Sequence, residues 1–576
     1  MLELSVPSKT KSASRHSARS KINDQTLALM LLVIALLSLL PTLGITRIID
    51  PSDGFYAESA RELLESQNFI VPTLNYAPYN DKPILTHWLI AAAYALLGVS
   101  EYASRLPSAL CASALCLATF AFARRYTNSR TAWFAGLILV SSYLFSILAR
   151  VSLTDMPLAL FVNLSLFSFF VGWKEQSKKF KLFGWAALGL ALLTKGPIAF
   201  LITFGSFLIF FLASEKRFQP TETLKKLRTF KSIPGFLIAA AITVPWYVAV
   251  GIATHGAWLK DFFIVQNFQR AAGMIANNHA QPFWFYIPII AITTFPWSAF
   301  AAFMIPIFKR WWAKRTVQSK RYQLLLFCAS ICLTVFCGFS VLKGKLPTYM
   351  LPLYPAAAML VAAAFDTAVR VKKPKLLLSG GLLAMIVSLV AIPKLFDALH
   401  ADTVAKTNSI YLIFGAYATV LGLFAFSIWR QKFVKEATHS LVLSCAALSA
   451  VLVPFLFVQF YEYHQRDYAT LLDMAISRKP ESISEIWCSN PSASFYAKKR
   501  VANIQSFYDY GAVMAFPGEH LVLYQESFEK FVSKAPIHKL LAKRGEWRLE
   551  SVADPTQSLL NEHFCMQSNA NKCQSK

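Results

Sequence analysis

Apolar runs of about twenty residues recur along almost the whole chain, and a run of that length can cross the hydrocarbon core of a bilayer. Thirteen candidates are read at 26–48, 102–122, 131–149, 155–172, 182–193, 197–213, 232–250, 283–307, 322–341, 347–365, 376–393, 408–428 and 438–459, the fifth being short. A chain of 576 residues that is 55% hydrophobic and 15% charged is too apolar for a soluble globule. The expected fold is an all-α polytopic membrane protein of about thirteen transmembrane helices. Short surface helices sit in its outer loops, and an α/β domain follows the last span.

The formal net charge of +26 would suggest a nucleic-acid partner in a soluble protein. Its distribution argues otherwise. With the N-terminus on the inner side, the inner segments are 1–24, 124–130, 173–181, 214–231, 308–321, 367–375 and 429–435, and each is rich in Lys and Arg. The outer short loops carry one or two basic residues apiece. That alternation is the positive-inside pattern, and it accounts for the basic balance with no nucleic acid. Residues 1–25 read as a disordered cytoplasmic tail. The apolar run after it lacks a small-residue cleavage signature and reads as an uncleaved anchor. Thirteen spans then make 26–459 the membrane domain and put 460–576 outside. In that outer part SISEIWCSN and GEHLVLYQE read as strands and FEKFVSKAPIHKLLAKR as a helix. Cys488, Cys565 and Cys573 lie in that outer part, where oxidation can occur, and Cys565–Cys573 is a candidate disulfide.

Transporters place ionisable residues in mid-span. Here the spans are almost clean, and the charges gather at their outer ends. Directly after the first run, IDPSDGFYAESARELLESQNF carries Asp50, Asp53, Glu58 and Glu62 with Tyr56 and Arg61 between them. Lys82 lies in YNDKPILTHW, Asp155 opens TDMPLALF just after Arg150, Lys195 sits in LTKGP, Arg270 in DFFIVQNFQRAAG, and Lys343 and Lys345 in VLKGKLPTY. Outer Lys and Arg run against the charge bias, so each needs a reason. Cations beside carboxylates suit one chemistry. The cations bind a phosphate and stabilise it as it leaves, while a carboxylate takes a proton from an attacking hydroxyl or orients the acceptor or a metal ion.

Each residue also has a structural reading. Asp53 suits an N-cap for a helix over 55–67 whose Leu63 and Leu64 lie on the membrane. Glu58, Arg61 and Glu62 suit a solvated ion-pair face. Asp155 could cap its span, Lys195 and Lys345 could snorkel, and Trp88, Trp246 and Trp297 suit an interfacial belt. The convergence on one side of the membrane favours a site.

Several linked motifs resemble a known family. DGFYAESARELL, NYAPYNDKPILTHWLIAAAYALLGVSEYASRLPSAL, SLTDMPLALF, LLTKGP and GKLPTYMLPLYPAAAML occur in the order seen in GT-C membrane glycosyltransferases. The likeness is closest to the bacterial lipid A aminoarabinose transferases, within a group that includes the dolichyl-phosphate-mannose-protein mannosyltransferases. It runs from about Ile49 to Ala364. The resemblance implies a GT-C fold with a periplasmic C-terminal domain in the cell inner membrane.

It also implies roles. The family's acidic motif reads Ser52-Asp53-Gly54-Phe55-Tyr56-Ala57-Glu58 here, with Asp53 at the Glu position, Ser52 at the Asp position and Phe55 where the family has Arg. Asp53 is thus the expected catalytic carboxylate, with Asp50 as its competitor, and Asp155 matches the second acidic motif. Tyr56, Glu58, Tyr79, Lys82, Lys195, Arg270, Lys345 and Tyr349 are implied on the substrate side. Asp81, with Asp53, is the implied contact for a divalent metal ion, whose requirement the resemblance leaves open. The implied reaction is inverting transfer from a polyprenyl-phosphate sugar to lipid A or a related envelope glycolipid. A Ser/Thr acceptor on exported proteins and a flippase of lipid-linked sugars are the alternatives.

Overall fold

The computed structural model describes residues 23–215, 220–230, 232–270, 280–314, 319–371, 373–391, 404–430, 434–486, 490–504, 520–529 and 538–552. The tail 1–22, Cys488 and the Cys565–Cys573 pair lie outside them. Each of the thirteen apolar stretches holds a helix. Among the described residues seven of these helices are long and apolar enough to cross a membrane alone, and Tyr286–Thr293 with Trp297–Phe303, a pair bent by 111°, makes an eighth if the pair is one span. The 131–149 stretch is divided at Ser141 and Ser142, whose hydroxyls turn back onto carbonyls of the preceding turn.

The membrane half opens with α1 (Asp24–Leu39) and runs through the outer helices α2 (Ser52–Ser66) and α3 (Leu85–Leu97) to α4 (Glu101–Tyr126). Next come α5 (Ser129–Val140), α6 (Tyr143–Leu148), α7 (Asp155–Lys174), α8 (Lys178–Lys195) and α9 (Ile198–Ser214). One large buried apolar cluster runs from α1 through the Val434–His464 helix and joins these spans. A two-stranded hairpin, β1 (Thr73–Leu74) with β2 (Ala77–Pro78), links α2 to α3. Leu63 of α2 packs among Ile84, Trp246, Trp258 and Phe262, so that face of α2 is covered by protein, not by membrane. Trp246 and Trp297 are likewise buried, their indole N–H groups donating to the Ile70 carbonyl and to Ser141, so neither belongs to an interfacial belt.

The outer domain is a helix, Arg466–Ser477, packed on a five-stranded sheet ordered β4-β3-β5-β7-β6. Strands β3 (Ser482–Ile486), β4 (Ala502–Ile504) and β5 (His520–Gln525) are parallel, with a short helix, Pro491–Ala497, crossing from β3 to β4. Of the expected helix over 528–544, Glu529 is helical, 530–537 lie outside the described residues, and the last part is strand. His538–Arg544 is strand β6, paired antiparallel with β7 (Trp547–Val552). Gly545, at φ +52, closes the two-residue turn between them, and pairing across a hairpin outweighs the helical spacing of HKLLAKR.

This domain docks on the first outer loop. Arg47 reaches Asp473 at 2.6 Å and lies 3.7 Å from the Tyr496 ring centroid. Asn75 bonds both backbone groups of Val501. Asp50 accepts from the backbone N–H and the hydroxyl of Ser492. A Cβ at Gly54 would stand 2.6 Å from Asp50 Oδ1 and 3.0 Å from Pro491, so α2 meets the Pro491–Ala497 helix backbone-first.

Candidate active site

The turn between α8 and α9 brings two side chains to one point. Lys195 ends α8, and Gly196 follows at φ +75, where a Cβ would strike Phe262 at 2.5 Å. Glycine is required there on both counts. The turn aims Lys195 Nζ at Asp155 Oδ1, 2.8 Å away at the start of α7, and within 5.0 Å of the Tyr349 ring centroid. The Asp155 side chain caps nothing: it bonds Lys195 through one oxygen, and its second oxygen makes no hydrogen bond among the described residues.

Lys82, Asp155, Lys195, Arg270 and Tyr349 line one cavity of about 510 Å³, whose other walls include Ile198, Leu201, Phe262, Phe263, Val335 and Phe339. It is charged in one part and apolar in the rest, the shape of a site for an amphiphile. Asn80 ties the Lys82 loop to Asp261 at 2.8 Å. Asp261 begins a π-helical segment, Asp261–Gln269, which carries the chain to Arg270. Such wide turns recur at functional sites because they re-aim side chains.

Asp81 stands behind the cations. Lys82 Nζ is 2.6 Å and Arg270 Nη1 3.4 Å from its Oδ1, and the Tyr79 hydroxyl is 3.2 Å from Oδ2. Burial works to raise the Asp81 pKa, but Lys82 and Arg270 outweigh it and hold the carboxyl below its usual range. Burial also lowers the Lys82 ammonium, against the pull of Asp81. Tyr56, buried near Asp81 and Asp155, is raised well above an ordinary phenol by burial first and by those two charges next, and stays protonated as a donor. Two cations crowd Asp81, and the described residues hold no group of three or more His, Cys, Asp or Glu placed to hold a metal ion. This donor set fits an anion better than a divalent metal ion.

The structure does not bring Asp53, Asp50, Glu58 or Lys345 to the cavity wall. Asp53 is 1% exposed. Its Oδ2 accepts from Arg105 Nε and Nη2 at 3.0 and 2.6 Å and from the Ile49 N–H, and its Oδ1 from the Ser152 N–H at 2.7 Å. It does not cap α2, which begins at Ser52. Arg105, fully buried, also donates to the carbonyls of Leu43, Thr46 and Arg47. The pair therefore clamps the end of the first span, α2, α4 and the loop before α7 together. Arg150 turns away to Ser146 of α6 and to Ser38 and Thr42 of the first span. Glu58 forms a bidentate pair with Arg61 at 2.7 and 2.8 Å, and burial pushes its carboxyl up to about 7. Glu62 accepts from Tyr76 N–H and Thr73 and braces the hairpin. Lys345 donates to the carbonyls of Gln281 and Leu342. Arg105 was not among the expected residues. Its signal is a charge inside the apolar YASRLPSAL, where a partner is obligatory.

Comparison with known proteins agrees with this architecture. Residues 81–248 match the family described as dolichyl-phosphate-mannose-protein mannosyltransferase. The undecaprenyl phosphate-alpha-4-amino-4-deoxy-L-arabinose arabinosyl transferase 2 of Proteus mirabilis is 30% identical over 408 residues, 70% of each chain. The corresponding transferase of Pectobacterium carotovorum is 32% identical over 340 residues, 58% of each. The crystal structure of ArnT from Cupriavidus metallidurans bound to undecaprenyl phosphate superposes with a TM-score of 0.76 at 20% identity, over 92% of this chain and 99% of that one, which establishes the shared fold. The chain belongs to the undecaprenyl phosphate-aminoarabinose arabinosyl transferase family and is a multi-pass membrane glycosyltransferase of the GT-C class.

Proposed function

We propose that this protein moves a sugar from a polyprenyl-phosphate donor to lipid A or a related envelope glycolipid, with inversion, on the outer face of the cell inner membrane. The observation that carries this reading is the cavity where Lys82, Lys195, Arg270, Asp155 and Tyr349 meet beside an apolar wall. The positive-inside pattern puts the N-terminus in the cytoplasm, residues 26–459 in the membrane and the 460–576 domain in the periplasm. The names of the relatives supply the donor class, undecaprenyl phosphate.

In the proposed reaction the donor phosphate rests on Lys82 and Arg270, with Asp81 fixing both cations, and its isoprenoid lies along the apolar wall. Asp155, positioned by Lys195, turns its free oxygen to the acceptor hydroxyl or phosphate oxygen, orienting it and taking a proton where one is released. That oxygen attacks the anomeric carbon from the face opposite the phosphate. The carbon–oxygen bond to phosphate breaks with its electron pair, and the leaving polyprenyl phosphate is stabilised by the cations. Tyr349 is a donor within this polar wall, and Tyr56 lies buried near Asp81 and Asp155. Asp53 is a positioning residue: with Arg105 it holds α2, and so Tyr56, in place.

The test is reconstitution of the full chain with an undecaprenyl-phosphate-linked sugar and purified lipid A. Glycosylated lipid A together with free undecaprenyl phosphate is the expected result. Peptide glycosylation in its place would favour a protein acceptor, and donor translocation without bond cleavage would overturn the reading.

A further inference from the structure

A second charged cluster lies at the other end of the same helices. Asp366, 1% exposed, is near the end of the Tyr354–Arg370 helix. Its Oδ1 accepts from Arg130 Nη2 at 3.0 Å. Its Oδ2 accepts from Arg370 Nη2 at 2.8 Å and Asn128 Nδ2 at 3.2 Å, and Arg321 Nη1 stands 3.3 Å away. A carboxylate offers about four acceptor positions, so Asp366 is saturated. Three guanidinium groups thus converge on one carboxylate among the described residues. Arg130 Nη1, buried, has no hydrogen-bond partner among the described residues. An unmatched buried N–H on a partly exposed cation is costly, and a further anion would remove that cost.

The position narrows the anion's source. Arg321 opens the Lys320–Val341 helix, whose Phe339 lines the active cavity; at 1.5 Å per residue they are roughly 27 Å apart along the axis. The cluster therefore belongs to the opposite membrane face. The short helix Ile305–Ala313 packs against both the Lys320–Val341 and Tyr354–Arg370 helices. It carries Lys309 and Arg310, and exposed Trp312 follows them. Trp beside Lys and Arg marks headgroup depth. We propose that Arg130, Arg321 and Arg370 form a binding site for the phosphate of an anionic phospholipid in the leaflet opposite the active cavity. Basic pockets between helices at this depth suit such headgroups.

The test uses the full-length protein in zwitterionic detergent, probed separately with dioleoylphosphatidylglycerol, dioleoylphosphatidylcholine and inorganic phosphate. Lipid retention is read by native mass spectrometry and protection by thermal unfolding. Phosphatidylglycerol is expected to be retained over phosphatidylcholine, and Arg130→Gln to weaken its retention roughly fivefold. Asp366→Asn separates a site from a structural staple. Removing the competing carboxylate lowers thermal stability but preserves or raises phosphatidylglycerol retention if a site is present. Equal retention of the two lipids, unchanged retention in Arg130→Gln, or loss in Asp366→Asn overturns the proposal. Protection by inorganic phosphate equal to that by the lipid shows a soluble-anion site and overturns the lipid assignment.

Discussion

Two groups of outer charges, similar in sequence, are used in opposite ways. In the first outer loop Asp53, Glu58 and Glu62 are closed into the protein, each with its oxygens engaged by Arg105, Arg61 or the hairpin backbone. At the cavity Asp155 keeps one oxygen without a hydrogen bond among the described residues, and Lys82, Lys195 and Arg270 line the same wall. A carboxylate whose acceptors are all satisfied holds structure. A wall of cations beside a carboxylate with an open oxygen is the arrangement on which the proposed reaction rests. On the proposed reading, satisfaction of the group, more than its presence in a motif, separates brace from reagent.

The largest effect expected from this contrast is on folding. Breaking the Asp53–Arg105 pair by Arg105→Leu strands a buried carboxylate, a loss of roughly 3–5 kcal/mol. Thermal unfolding in detergent should show the drop, with activity lost in proportion to folded protein. An unaltered unfolding curve would remove Asp53 from the brace class. Next in size, Lys82→Ala and Arg270→Ala should fold normally yet slow transfer by about 10²–10³-fold each, the usual cost of removing a contact to developing negative charge. Turnover of a polyprenyl-phosphate donor measures this, and a rise in KM alone would mean that the cations only bind.

The smallest effect is on the docking of the outer domain. Asp50 is buried against Ser492, with Glu485 and Asp53 as neighbouring charges, and burial lifts its carboxyl to about 7. A raised carboxylate favours the docked state at low pH, and that contribution is lost as pH rises through about 7. Hydrogen exchange at the Pro491–Ala497 helix should therefore be faster at pH 8 than at pH 6, beyond the intrinsic rate change. Asp50→Asn should flatten part of the slope, the remainder belonging to Glu485, which burial also raises to about 7. An unchanged slope would show that Asp50 does not titrate there.

The fold was legible because lipid imposes a coarse rule: twenty apolar residues and an alternation of basic loops suffice to mark spans and sides. The outer domain was less so. HKLLAKR has helical spacing, and only its pairing with WRLESV across Gly545 makes it a strand. At the site, the sequence brought forward Lys82, Asp155, Lys195, Arg270 and Tyr349, which do share one cavity, since outer cations are rare enough to stand out. It could not rank the carboxylates. Asp53 and Asp155 look alike in one dimension, and what separates them is Arg105, an intramembrane charge 52 residues away from Asp53 whose partner only the fold reveals.

The most direct test is turnover per folded molecule in Asp155→Asn, compared with wild type at equal thermal stability and with donor and lipid A both saturating. Asparagine preserves the shape and an acceptor for Lys195 but cannot take a proton or carry the charge. The account predicts a folded protein that binds the donor and transfers at least about a hundredfold more slowly. Wild-type turnover in that variant would contradict it and return the catalytic role to the first outer loop.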